Sequence, residues 1–483
     1  MLQKAFGRTG RLSAFLLCAA ATALVVAAAT GAATSANVAC ADSAGLVAAV
    51  NAANSAGGGS INLAAGCHYS LTTADNGENG LPVVTSPIRM NGNGATIDGT
   101  DSVRIFEVDG PDGSLSLRDV TLTGGSADFG GAIANIGGTV SLNHSQVTGN
   151  TATQAGGGIA SATFDPSSVA SLTLNQSSVS DNQQTVSAFD GGLGGGGILS
   201  ILGNARLNQS QVNGNDAEGF VGGGIASGDY MNFSSTSSFL TVNGSRVDGN
   251  TAPNAGGGGI QNLLGSATVS NSEVDGNTSL NGGGISSGSG GNAPPLTSQL
   301  TLKNSRVDGN TATTAPGEGP PIAGGGIANG GDASLNNTEV DNNTASHTSG
   351  AGIVNHGRMT VNNSEVNGNI AAGSGLIASG GGIINAQGQP GTGDTILTIN
   401  NSRVNDNRAG GDGGGIANGA PFPGMPLPGG VLTMHNSQVV GNTAAHGGGI
   451  FNTGGSVALS NTAVTGNTPD NCEPPGSVSG CTG

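Results

Sequence analysis

Residues 245–260 read Ser-Arg-Val-Asp-Gly-Asn-Thr-Ala-Pro-Asn-Ala-Gly-Gly-Gly-Gly-Ile, and this stretch decides the fold. Its skeleton is a Ser or Thr, a Val two residues later, an Asn three residues after that, and a glycine step that ends in Ile. It recurs eleven times, with a Val column from Val147 through Val247 to Val464 and an Asn column from Asn150 through Asn250 to Asn467. A period this regular is the signature of a solenoid. The tightest repeats, Ile133 to Ile159 and Ile260 to Ile285, span 26 and 25 residues. That is too short for a helical hairpin, and no 3.6-residue period is present. In Ser245-Arg246-Val247-Asp248 the Val points one way and its charged neighbours the other, which is strand periodicity. A second strand precedes it, as in Leu172-Thr173-Leu174 or Leu300-Thr301-Leu302, and a third centres on the Ile. Three short strands per repeat, separated by Gly and Asn, describe one coil of an all-β, single-stranded parallel β-helix.

Coils stack at roughly 4.8 Å, so equivalent residues form columns. The Val and the Ile, from Ile133 to Ile450, are expected to point inward. The Asn or Ser two residues after each Ile, and the Ser or Thr two residues before each Val, are expected to form hydrogen-bonded ladders at the corners. Asn and Gly tolerate the left-handed backbone a corner needs, which accounts for 91 Gly without disorder. Repeat length varies at two points only: between the Asn and the next glycine step, and after Ile159, Ile225, Ile285, Ile383 and Ile416. Insertions confined to fixed edges often mark a binding face.

Gly130-Gly131-Ala132-Ile133 and the Val-x-x-Asn element resemble the repeats of chlamydial polymorphic outer-membrane proteins, which pair Gly-Gly-Ala-Ile with Phe-x-x-Asn. Val stands where that family has Phe. The resemblance covers roughly residues 120–468 and implies a right-handed, pectin-lyase-like β-helix; with the early coils it gives about 13–14 coils. The chlamydial proteins add a membrane β-barrel after the repeats. Here the sequence ends at Gly483, soon after the last repeat, so an autotransporter role is not carried over.

At the N-terminus, Lys4, Arg8 and Arg11 precede an apolar run from Ala14 to Ala29, followed by small residues at Thr34-Ser35-Ala36. This pattern predicts a secretory signal peptide over residues 1–36, with no other segment able to span a membrane. Its removal leaves Cys40, Cys67, Cys472 and Cys481. The ends of a rod are far apart, so the expected disulfides are Cys40–Cys67 and Cys472–Cys481. Asp42 to Asn54 is the clear helix candidate, with Leu46, Val47 and Val50 on one face, placed as a cap on the open N-terminal coil. Residues 37–119 are then cap and irregular first coils, 120–468 the regular repeats, and 469–483 a disulfide-bonded C-terminal cap.

The chain carries −17, and loss of the three leader cations leaves −20. That charge disfavours nucleic acid and anionic membranes as partners. Beside the Val column, Arg246, Glu273, Arg306 and Glu339 alternate in sign on successive coils, whereas Asp248, Asp275, Asp308 and Asp341 stack four carboxylates. The latter column is either neutralised by the arginines and solvent or is a Ca²⁺ site, since hard cations take carboxylate oxygens. The calcium repeat Gly-Gly-x-Gly-x-Asp is absent, and no cofactor is expected. Aromatic residues are few; Phe164, Phe189, Phe220, Tyr230, Phe233 and Phe239 fall in insertions, where they either pack on the rod or stack on sugar rings. Of these, Phe220, Tyr230, Phe233 and Phe239 are the ligand candidates.

Pectin-lyase-like enzymes work with Arg or Lys as base or with paired acids. Here Lys303 is the one lysine after the leader, and Arg246, Arg306 and Arg403 are spent on the repeat ladder. Asp181 and Asp190 are a loop pair that spacing cannot place at catalytic separation. No catalytic set is identifiable. The expected protein is a secreted or cell-surface monomer that binds an extracellular glycan or protein, or acts as a scaffold. The alternative is a polysaccharide lyase or glycoside hydrolase on the same fold.

Overall fold

The structure is a computed structural model that describes residues 34–163, 168–186, 192–219, 221–230, 238–288, 298–313, 323–373, 379–387, 395–420 and 427–481. One coil shows how the chain is used. Phe239–Asn243 is a strand, then Arg246–Asp248, then Thr251–Gly256, then Ile260–Leu263. The chain returns as Ser266–Ser270, lying parallel on its starting strand with Phe239 opposite Ser266. Repetition of this circuit builds parallel sheets of 27, 13 and 10 strands. The largest holds two adjoining rows, the Leu-x-Leu row and the Val row, because Pro87–Asp98 and Ser114–Thr123 run through the bend between them. The protein is a parallel β-helix.

The inward columns are in register as the period requires. Val247, Val274, Val307 and Val340 lie opposite one another and are fully buried. Ile225, Ile260, Ile285 and Ile327 do the same in the 13-stranded sheet. Each such side chain removed from water contributes about 1.5–3 kcal/mol before chain entropy is counted. The outer side of the Ile row is also buried in the later coils, where Val354, Ile384, Ala386, Ala417 and Ala420 form a second apolar cluster with Leu427 against it.

Two expectations need correction. A coil has four strand segments, not three: the ten-stranded sheet is a further row that includes Thr151–Ala155, Thr278–Asn281 and Thr311–Thr313. Its inward residue is small, as at Ala152, Ala252 and Ala312, so no branched apolar position announced it. Nor is the corner Asn of the Val row the left-handed residue. Positive φ falls on the residue before it, Gly249 at 60° and Gly276 at 62°, with Asp181, Asn342 and Asp406 where glycine is absent.

The corner Asn side chains instead do interior work. From Asn150 to Asn442, each Nδ2 donates to the Oδ1 of the Asn on the next coil at 2.9–3.0 Å. The same Oδ1 accepts the backbone N–H of the preceding Asn, as for Asn250 on Asn277 at 2.9 Å. The column begins where Gly125 N–H donates to Asn150 Oδ1 at 2.8 Å and finishes at Asn471 Oδ1, 3.2 Å from Asn467 Nδ2. The glycine step lets coils touch: a Cβ on Gly258 would lie 2.4 Å from the carbonyl oxygen of Gly283.

The ends are closed differently. Helix Ser43–Ser55 is capped by Asp42, whose side chain accepts from Gly45 N–H at 2.8 Å. Leu46, Ala49, Val50 and Ala53 are buried in the first coils, while Val47 is only partly so. Cys40–Cys67 and Cys472–Cys481 are both bonded, with Cα atoms 5.4 and 6.2 Å apart. The first strand, Thr34–Val38, pairs with Gly59–Leu63, so it begins inside the segment assigned to the leader. In the last coil Val457 and Leu459 are half-exposed, whereas Leu432 and Met434 above them are fully buried.

Candidate functional site

The outward side of the Val row carries the clearest arrangement of charge. Register places Arg246, Glu273, Arg306 and Glu339 on successive coils, with Asp248, Asp275, Asp308 and Asp341 beside them. Arg246 pairs with Glu273 and lies 3.3 Å from Asp248. Arg306 reaches Asp308 at 2.6 Å and Glu339 at 3.4 Å, and Arg403 reaches Glu365 at 2.8 Å. These cations are half-exposed, so each pair contributes about 0.2–1 kcal/mol.

The Asp column is less settled. Partial burial pushes Asp248 up to about 6; Arg246 opposes the rise, and Asp275 and Glu273 add to it. Asp341 is likewise pushed up to about 6, first by burial, against a hydrogen bond from Asn367 N–H. Asp275 is raised by burial and then by Asp308. Asn342 donates to Asp308 Oδ1 at 2.9 Å and Asn367 N–H to Asp341 Oδ1 at 3.0 Å. Asp248 Oδ1 is buried without a hydrogen-bond partner. Among the described residues, no group of three or more His, Cys, Asp or Glu side chains is arranged to hold a metal ion.

Beside this ladder runs a shallow groove of about 460 Å³, lined by Asn271, Asn304 and Asn337 together with Glu273, Arg306 and Glu339. The three Asn have positive φ and stack as a surface ladder, Asn304 Nδ2 to Asn271 Oδ1 at 3.3 Å and Asn337 Nδ2 to Asn304 Oδ1 at 3.2 Å. A second concavity of about 630 Å³ lies on the same columns near the C-terminal end, lined by Asn436, Gln438, Leu459 and Asn461 among others. The signal was in the sequence: the residue before each Ser of the corner is mostly Asn or Gln.

Two clusters outside the ladder were not anticipated. Arg104 is buried and multiply bonded: it donates to the carbonyls of Phe129 and Gly130 at 3.0 and 3.3 Å, to Asn79 Oδ1 at 2.6 Å, and to the carboxylates of Glu78 and Glu107, both at 3.0 Å. It binds coils together through all three of its guanidinium nitrogens. Near the C-terminal cap, His446 Nδ1 lies 2.9 Å from Oδ1 of the buried Asp412. That hydrogen bond raises the imidazole pKa, with Glu473 and Asp470 adding to it. Ser379 Oγ accepts from Asp412 N–H at 3.4 Å, so this Ser sits behind the Asp and the order is not that of a nucleophile, base and acid. Asp470 is raised first by burial and then by the charge of Glu473.

The aromatic candidates are not brought together. Phe239 opens a strand and is exposed on the flat Leu-x-Leu row, not in an insertion. Tyr230 is half-buried, its hydroxyl 3.4 Å from the carbonyl of Ser227, and burial pushes its pKa up. Phe220, Phe233, Phe164, Phe189 and Asp190 lie outside the described residues. No helix among the described residues is long and apolar enough to cross a membrane. No family model matches the chain, and comparison with curated proteins and with solved structures found no match.

Proposed function

We propose that this chain is an exported extracellular or cell-surface protein that binds a glycan or protein through the outside of its β-helix without turning the ligand over. An N-terminal leader that ends short of the strand at Thr34, a monomeric mature chain and the right-handed pectin-lyase-like form suggested by the chlamydial repeats belong to this reading. One observation carries the reading: the arginines of the Val row are held by carboxylates of the same row, beside a groove that three Asn amides also line. Such a surface offers donors and acceptors at one coil spacing, and no cation there is poised to take a proton. Two disulfides fit an oxidising compartment.

The hydrolase alternative would centre on Asp470 and Glu473. The Glu473 carboxylate helps to raise the Asp470 pKa, and its own Oε2 accepts from Gly447 N–H at 3.1 Å. The test is a glycan array and a panel of extracellular proteins probed with the mature chain, with a reducing-end release assay on every glycan bound. Binding with no release is expected. Release that survives Arg306→Gln but is lost in Glu473→Gln would establish the enzyme instead.

A further inference from the structure

A second corner column follows the Ile row. In its later part Asn329, Asn355, Asn385, Asn418 and Asn452 form an amide ladder, each Nδ2 2.8–2.9 Å from the next Oδ1. In its earlier part register stacks Ser161, Ser200, Ser227 and Asn262. Three consecutive members, Ser200 Oγ, Ser227 Oγ and Asn262 Oδ1, are buried without a hydrogen-bond partner. All three residues are fully buried. The amide of Asn262 does not turn back to help them, because its Nδ2 serves the carbonyls of Gly265 and Gln299 and the hydroxyl of Ser287 at 3.0–3.2 Å.

The geometry points to a built site for ordered water. Equivalent Ser Oγ atoms on neighbouring coils lie roughly 4.8 Å apart, too far for a direct hydrogen bond, and no direct hydrogen bond joins Ser227 Oγ to Asn262 Oδ1. Two hydrogen bonds of about 2.8 Å meeting at roughly 120° span that distance, which is the geometry of one bridging water. An Asn carboxamide bridges the same gap in the later coils, and each Ser here is shorter by that group. We propose that two internal waters occupy this corner, one between Ser200 and Ser227 and one between Ser227 and Asn262. A hydroxyl and an amide oxygen suit water better than a cation, because Ser can donate as well as accept and the site holds no negative charge.

A crystal structure of the mature chain at about 1.5 Å, with water-oxygen relaxation dispersion on the wild type and on the double variant Ser200→Asn, Ser227→Asn, tests this. Two ordered peaks are expected within hydrogen-bond distance of Ser200 Oγ, Ser227 Oγ and Asn262 Oδ1. The double variant should lose two long-lived internal waters and melt no lower than wild type. No density at those oxygens, with both hydroxyls turned to main-chain carbonyls, overturns the proposal, as does an unchanged count of internal waters in a folded double variant. If that variant does not fold, the wild-type density decides alone.

Discussion

Two polar columns run down the Val row, one on each side of its backbone, and they behave in opposite ways. Asn277 and Asp275 are two residues apart on one coil. Asn277 is fully buried and donates to Asn310 Oδ1 and to the Val247 carbonyl, both at 2.9 Å, while its own Oδ1 accepts twice from Asn250. Asp275 faces outward among Asp248, Asp308 and Glu273, and its pKa is raised. An amide carries a donor and an acceptor, so a stack of identical amides satisfies itself. A carboxylate only accepts, so a stack of identical carboxylates repels itself and needs arginine beside it. This explains why the Asn column runs unbroken from Asn150 to Asn467, while the Asp column gives way to Asn367 and Asn405 after four coils.

The sharpest way to break the inner side is steric. Gly258→Val puts side-chain carbon against the carbonyls of Gly283 and Thr278, 2.4 and 2.6 Å from the Cβ position. Backbone on both sides cannot yield, and the expected loss exceeds about 4 kcal/mol, seen as failure to recover folded, soluble protein. At the C-terminal end, His446→Gln removes a pH-dependent tie. The imidazole pKa is raised in the folded state, so its contribution is fully present below about 6.5 and disappears as pH rises through the folded value. Melting curves of wild type and variant should therefore differ at pH 6 and coincide at pH 9.

On the outer side, effects are smaller. Asp248 and Asp341 have folded pKa values raised to about 6 from 3.8, so the native state takes up protons as pH falls between those values, and their contribution to stability improves. Arg246 and Arg306 oppose the repulsion only while the carboxylates are charged. The double change Arg246→Gln, Arg306→Gln should lose about 1 kcal/mol at pH 7 and little at pH 4, with salt reducing the difference. Smallest of all, millimolar Ca²⁺ is expected to leave the melting temperature unchanged. A rise that disappears in Asp275→Asn would make the outer column a metal site.

The inner half of this comparison was legible in the sequence and the outer half only partly. Val and Ile are large, branched and periodic, so their columns and the strands beneath them could be read directly, and four cysteines at two ends left one sensible pairing. The fourth row was hidden because its inward residue is Ala. The left-handed corner was misplaced by one residue because Asn suits both that backbone and an amide ladder, and burial chose the ladder. His446 and Asp412 are 34 residues apart, and coils of unequal length hide which residues stack. Arg104 gave no signal, since its partners come from three different coils.

The inner amide column holds the fold and the outer carboxylate column does not. Denaturant unfolding of Asn277→Ala and Asp275→Ala, made in the same mature chain at pH 7, tests it most directly. A loss of about 2–4 kcal/mol is expected for Asn277→Ala, from orphaned partners on two neighbouring coils, and no loss or a small gain for Asp275→Ala. Equal losses in the two variants, or a larger one for Asp275→Ala, would contradict it.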